Sequence, residues 1–273
     1  MISATTILPF EPFLSLWRHR ELFRRVLVRD IQSSFRGSVL GLAWIVVIPL
    51  TLVAIYSFVF GSILNSSWAI QPRSPYEVPL IYFSGLMVFG FFMETITRST
   101  THIRDQKTYV TKIIFPVDIL CWVLVGTALF KFFVNLVLLL TFITLLTGAF
   151  PVKALLLPLL MVPFVLLTVG LAWILAGVGA FIRDLSHALQ ALGPVIMFIS
   201  PVFYAAAQVP EAARPFYFIN PLTFMLESVR GLLFFDQAFS LQGYLAYSAA
   251  ALVVFSFGYA FFQRLRPGFA DVV

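Results

Sequence analysis

Long apolar stretches alternate with short basic ones along this chain. Six of the apolar stretches are long enough to cross roughly 30 Å of hydrocarbon, which takes about 20 helical residues. They run from Leu40 to Leu64, Val78 to Thr95, Ile119 to Thr147, Ala154 to Phe181, Leu189 to Tyr204 and Leu241 to Phe262. Pro49, Pro158 and Pro163 fall inside these runs, where a missing amide donor bends a helix and neighbouring groups re-satisfy the freed carbonyl. The fifth run is the shortest and carries Gly193-Pro194 and Pro201, so a tilted or broken helix is expected there.

Two further elements do not fit a simple crossing. Before the first span, Phe13, Leu16, Trp17, Phe23, Leu27 and Ile31 recur at helical spacing among arginines. That pattern predicts a helix over residues 12–36 lying in the interface plane, with its apolar side in the acyl boundary and its arginines toward headgroups. It serves either as an anchor or in substrate uptake. Between the fifth and sixth spans, Ala205 to Ser240 is too long for a tight connection and too apolar for a free loop. Within it, Asn220-Pro221 introduces a helix over Leu222 to Phe235, with Glu227 and Arg230 spaced to pair at i and i+3. Too short to span a bilayer, this run predicts a re-entrant or interfacial hairpin over residues 205–240, tolerated where it packs on protein or lines a cavity. The expected fold is an all-α membrane protein, one six-helix domain over residues 1–273 with its membrane region at 40–262.

Composition excludes the soluble alternative. The 273 residues are 60% hydrophobic and only 11% charged, with mean hydropathy +0.97; soluble domains are about a quarter charged. Lipid accepts such side chains on an outer face as well as in a core. The net charge of +6 reports topology more than affinity for nucleic acid once the charges are placed. Arg18, Arg20, Arg24, Arg25, Arg29 and Arg36 precede the first span, Arg98, Arg104, Lys107 and Lys112 follow the second, Arg183 follows the fourth, and Arg264 and Arg266 follow the sixth. The other side carries only Arg73, Lys153, Arg214 and Arg230, which predicts both termini in the cytoplasm. Met1 to Glu11 lacks the basic start and apolar run of a cleaved signal peptide, so the first apolar helix is expected to be retained.

Little in the chain points to catalysis. One cysteine, Cys121, excludes an internal disulfide and offers no metal cluster. There is no GxxxxGK[ST] loop to cradle nucleotide phosphates, and no HExxH, GxSxG or paired-Cys motif, so no catalytic or metal-binding residue is expected. His19, His102 and His187 are scattered through cytoplasmic segments and are expected to be solvated. Lys131 is the anomaly, because a cation a dozen residues into the third span is costly and by default functional. It either snorkels or pairs structurally, for instance with Glu94, or it belongs to an ion relay. Glu94, Asp105, Asp118, Asp184 and Glu227 are too isolated for a metal-bound pyrophosphate site, and buried charges are too few for an ion-coupled carrier. No internal repeat is visible. Among the abundant aromatics, Trp44, Tyr56, Phe58, Phe198, Phe203 and Tyr204 are candidates to line a conduit, since aromatic faces suit sugar C–H surfaces without fixed hydrogen bonds.

Several pieces occur in an order that resembles the permease subunit of type-2 ABC exporters, the branch that moves O-antigen, capsular polysaccharide or teichoic acid. They are LVRDIQSSFRGSVLGLAWIVVIP at Leu27 to Pro49 and IYSFVFGSIL after it, RDQKTYVTKIIFPVD at Arg104 to Asp118, FIRDLSHALQ at Phe181 to Gln190, and SPVFYAAAQVP followed by INPLTFMLESVRGLLF. The resemblance implies an inner-membrane homodimer with two copies of a separate ATPase that binds the ATP and Mg; this chain itself would hold no cofactor. A lipid-linked polysaccharide, with O-antigen first in line, would pass from cytoplasm to periplasm. Its pyrophosphate would be met by Arg24, Arg25, Arg29 and Arg36, since guanidinium pairs well with phosphate oxygens. Each of these arginines serves equally well for topology and anionic lipid. Arg104, Tyr109, Lys112, Asp118, Arg183 and Asp184 would dock on the ATPase, and Pro221, Glu227 and Arg230 would form an outer gate. A drug or small-lipid exporter of the same architecture, or an ion-coupled carrier, is the alternative.

Overall fold

The computed structural model describes residues 10–34, 38, 40–59, 77–110, 115–205 and 208–272. Among them every regular element is helical. Two short helices, α1 (Glu11–Arg18) and α2 (Arg20–Ser33), are followed by α3 (Trp44–Tyr56), α4 (Glu77–Asp105), a single turn α5 (Lys107–Val110), α6 (Ile119–Thr147) and α7 (Leu157–Phe181). Then come α8 (Leu185–Ile199), the hairpin pair α9 (Arg214–Ile219) and α10 (Pro221–Leu233), α11 (Leu241–Leu265) and a last turn, α12 (Phe269–Val272).

Four helical stretches among the described residues are long and apolar enough to cross a membrane: Glu77–Asp105, Ile119–Thr147, Val152–Phe181 and Leu241–Gly268. Trp44–Val59 and Leu185–Ile199 are apolar but shorter. The expected first span therefore coincides with described helix only up to Val59; Phe60 to Leu64 lie outside the described residues.

Several boundaries differ from expectation for physical reasons. Apolarity ends the second run near Thr95, yet α4 continues to Asp105, because Glu94, Arg98 and His102 find partners on neighbouring helices. The fifth run was expected to reach Tyr204, but α8 stops at Ile199, where Ser200 turns to an extended backbone before Pro201. Tyr204 folds back and donates its hydroxyl to the carbonyls of Phe198 and Ile199 at 3.1 and 2.9 Å. Pro158 does not kink a span. It occupies the first turn of α7, where the absent N–H is not missed. The interface segment is two helices broken at His19, which leaves helical geometry at φ −109°, ψ 26°.

Packing centres on α4, which touches α6, α7, α8 and α10. The most extensive pairing is α7 against α11. There Gly170 and Gly258 bring backbone against backbone: a Cβ on Gly170 would lie 2.7 Å from Phe255 Cα, and one on Gly258 would overlap the Gly170 carbonyl. At Gly179 the backbone of Thr100 fills the corresponding space, joining α4 to α7. Small residues of this kind let membrane helices gain dispersion contact where no hydrophobic force drives them together.

Candidate functional site

The buried edge of α2 dictates where the basic segment sits. Leu22, Phe23, Val26 and Leu27 pack on Ile119 and Val123 of α6, so the segment leans on the bundle. Asp30, only 7% exposed, continues that edge. Its carboxylate accepts from the Thr127 hydroxyl of α6 at 2.7 Å and from Arg98 of α4 at 3.1 and 3.4 Å. Arg98 also pairs with Glu94 one turn back at 3.2 Å, and Lys131 of α6 donates to the same Glu94 oxygen at 2.6 Å. Asp30, Arg98, Glu94 and Lys131 thus form a chain of alternating sign with no net charge, spanning three helices. Neutrality and mutual hydrogen bonding are what make such groups tolerable inside a membrane protein. The structural pairing of Lys131 with Glu94 is therefore realised, and Asp30, Arg98 and Thr127 extend it.

Arg29, the neighbour of Asp30, points the other way. Its guanidinium bonds the Tyr109 hydroxyl and lies 4.9 Å from that ring's centroid. Tyr109 in turn packs on Phe115 at 4.6 Å, and Arg266 reaches the Phe115 carbonyl at 3.5 Å. Adjacent residues of one helix therefore hold α5, through Tyr109, and the charged chain inside the bundle.

The remaining loop residues sort by burial. Asp118 was expected on a docking surface, but it is 3% exposed: it accepts from the Ser15 hydroxyl at 2.6 Å, while its carbonyl takes the Trp173 indole N–H at 3.2 Å. It anchors α1 to α6 and presents nothing outward. Arg183 and Asp184 are exposed at the α7–α8 turn, and Arg104 is half-buried. Lys112 and Arg36 lie outside the described residues. Arg24 and Arg25 are exposed on α2. His102, expected to be solvated, is instead buried, with its Nε2 3.0 Å from the Leu120 carbonyl, because α4 continues through it.

At the opposite end of the bundle the hairpin is held by an asparagine and a buried cation. Asn220 accepts from the Leu222 N–H at 2.9 Å, capping α10 ahead of Pro221, and donates to the Ser200 hydroxyl at 2.8 Å. Arg230 is 1% exposed and donates to the carbonyls of Pro201 and Val202 just past α8. Room for it exists because residue 85 is glycine; a Cβ there would overlap the guanidinium. Burial lowers the Arg230 guanidinium to about 10, so it stays charged at neutral pH. Glu227 accepts from the Tyr217 hydroxyl at 3.4 Å. Burial, with the Glu227 carboxylate beside it, raises the Tyr217 phenol and keeps it a donor. Each member of the Glu227–Arg230 pair thus has a partner that the i, i+3 spacing did not reveal.

Three of the six aromatic candidates meet. Phe203 lies 6.5 Å from Tyr56 and 6.2 Å from Phe198, with Tyr82 of α4 joining at 5.9 Å. Phe58 is exposed near them in sequence, whereas Trp44 is about 18 Å from Tyr56 along α3 and donates to Ser38 at 2.8 Å. The signals that sequence reasoning overlooked were modest. Arg98 follows Glu94 by four residues on a helix, and Asp30 is the one acid near the end of the apolar edge of α2.

A bundle with at least four membrane-length helices among the described residues, paired charges toward one end and a gripped hairpin at the other is the make-up of a multi-pass membrane protein. The sequence profile of the ABC-2 type transporter family matches residues 21–234, and the chain belongs to that family. It is similar to the O-antigen export system permease protein RfbA of Myxococcus xanthus, 24% identical over 261 residues that cover 94% of this chain and 97% of that protein. A protein of the same name from Klebsiella pneumoniae is 26% identical over 254 residues, covering 90% of this chain and 92% of its own length. A second Klebsiella pneumoniae RfbA is 24% identical over 251 residues.

Proposed function

We propose that this chain is the membrane-spanning subunit of an ATP-driven exporter that carries lipid-linked O-antigen from the cytoplasm to the periplasm. The observation that carries this reading is similarity along nearly the whole chain to permeases named for O-antigen export. In this reading α3 and α8 complete six crossings, both termini face the cytoplasm, and α9–α10 form a re-entrant outer gate. Two copies enclose the conduit with two copies of an ATPase partner, which binds the ATP and Mg. The exposed faces of α3 and α8, with Phe198 on α8 and Phe58 just past α3, favour that placement of the conduit. Arg24, Arg25 and Arg36 meet the lipid pyrophosphate, and Arg104, Tyr109, Lys112, Arg183 and Asp184 lie toward the ATPase.

Movement would pass from the loop around Tyr109 through Arg29 into α2, and from Asp30 into α4 and α6. A ligand shifts an equilibrium only through different affinities for its two states, so some of these contacts must differ between them. Deleting the gene should abolish surface O-antigen and accumulate lipid-linked glycan inside the inner membrane; unchanged surface O-antigen in the deletion strain would sink the reading.

A further inference from the structure

At the end of the bundle away from Tyr109, a cavity of about 720 Å³ opens between the start of α4, the end of α6, the turn Val152–Leu156 and the end of α10. Its depth is hydrocarbon: Leu80, Ile143 and Leu232 line it at 4%, 4% and 2% exposure. Polar groups stand only at the mouth, near the helix ends, and they are already engaged within the chain. Lys153 holds Asp236 at 2.8 Å, Thr147 donates its hydroxyl to the Ile143 carbonyl at 2.8 Å, and Glu77 is engaged as well. The mouth therefore offers an incoming molecule no spare charge, and what is left to cover is apolar surface. Water gains too few hydrogen bonds from such walls to stay, and an empty space forfeits the dispersion contacts its lining could make.

What lies next to the opening identifies the occupant. Leu146, Phe150 and Val152 make the outer wall and are exposed, and Leu145 and Leu155 flank them at 75% and 71% exposure. This surface ends one membrane-length helix and begins another, so lipid hydrocarbon is its neighbour. We propose that one acyl chain of a bilayer phospholipid enters through this opening and fills the cavity, while its headgroup stays among the surrounding lipids. Uptake is then set by apolar volume and is indifferent to headgroup charge. The cavity lies at the opposite end of the bundle from Tyr109 and the Arg29 that holds it, away from the arginines of α2. A filled cavity would join the end of α10 to α4 and α6. The inference rests on the membrane placement of these helices and not on the identity of the cargo.

The test is photo-crosslinking of the full-length protein in bilayers doped with a phospholipid that carries a diazirine on one acyl chain, made once as phosphatidylethanolamine and once as phosphatidylglycerol. Adducts are located by peptide mass spectrometry. They are expected on Leu80, Ile143 or Leu232, which lipid outside the protein cannot reach, in equal yield for the two headgroups. Val152→Trp, at the opening, should cut these deep adducts about tenfold, the worth of roughly two buried methylenes. Adducts on exposed Leu145 should persist in that variant, which shows that it is folded and surrounded by lipid. Adducts confined to exposed residues overturn the proposal, as do deep adducts untouched by Val152→Trp or a yield that follows the headgroup. Displacement of the label by a polyprenyl phosphate at equal concentration would give the cavity to a cargo tail instead. A disulfide between two copies through Val152→Cys would give it to a second protein chain. The readout is the position of the adducts, so it stands whether or not O-antigen is the cargo.

Discussion

The two ends of the bundle hold their moving parts differently. Near Tyr109, four charges on α2, α4 and α6 share the task, and the side chains of Arg98, Glu94 and Lys131 remain a quarter to a third exposed. At the far end a single guanidinium, almost wholly buried, clasps the carbonyls of Pro201 and Val202. A network with several members can lose one contact and keep the others, so it can re-pair in steps. One buried cation that carries both carbonyl contacts has no such reserve, because removing it orphans both at once. Adaptable contacts thus lie where a partner is expected to push, and an all-or-none clasp lies where a gate would have to stay shut.

Substitutions should separate the two designs. The largest loss is expected for Arg230→Met, about 3–5 kcal/mol by the measure of broken buried charge contacts. It should appear as a collapse in the thermal midpoint of the detergent-solubilised protein. Gly85→Ala should approach that loss, since its Cβ would occupy the guanidinium's place. Asp30→Ala should cost less, about 1–3 kcal/mol, because Arg98 retains Glu94 and its partial exposure lets water compensate. Exchanging Glu94→Lys with Lys131→Glu should recover part of what either change loses alone, the coupling read from a double-mutant cycle. Zero coupling energy would remove the network from the comparison. Smallest of all for stability is Arg29→Ala, at most about 1 kcal/mol for an exposed cation–π contact. Its larger effect should be on export per ATP hydrolysed, and an unchanged ratio would show that Tyr109 does not act through α2.

Much of this was readable from the amino acids, and the boundary follows a physical line. Where a helix is apolar along most of its length, hydropathy alone marks its limits, as for Ile119 to Thr147. Where a helix is half polar, as in α4 beyond Thr95, the stabilising partners lie on other segments and leave no local trace. Asp30 finds Arg98 68 residues away and Thr127 97 residues away, distances no periodicity can encode. Lys131 and Glu94 were legible as a pair because each is a rare charge in an apolar stretch, which narrows the choice of partner. Asp118 and His102 misled for the converse reason: a polar residue near a helix end reads as solvated unless one knows that α1 and the Leu120 carbonyl cover it.

The glycine crossings have a mechanical consequence. Where Gly170 meets Gly258 and Gly179 meets Thr100, main chains abut with no pliable side chains between them, so α4, α7 and α11 have no slack in which to slide. They form a keel. An opening that preserved these contacts would have to use less tightly packed helices such as α3 and α8, which makes those two the natural targets for distance measurements between resting and working states.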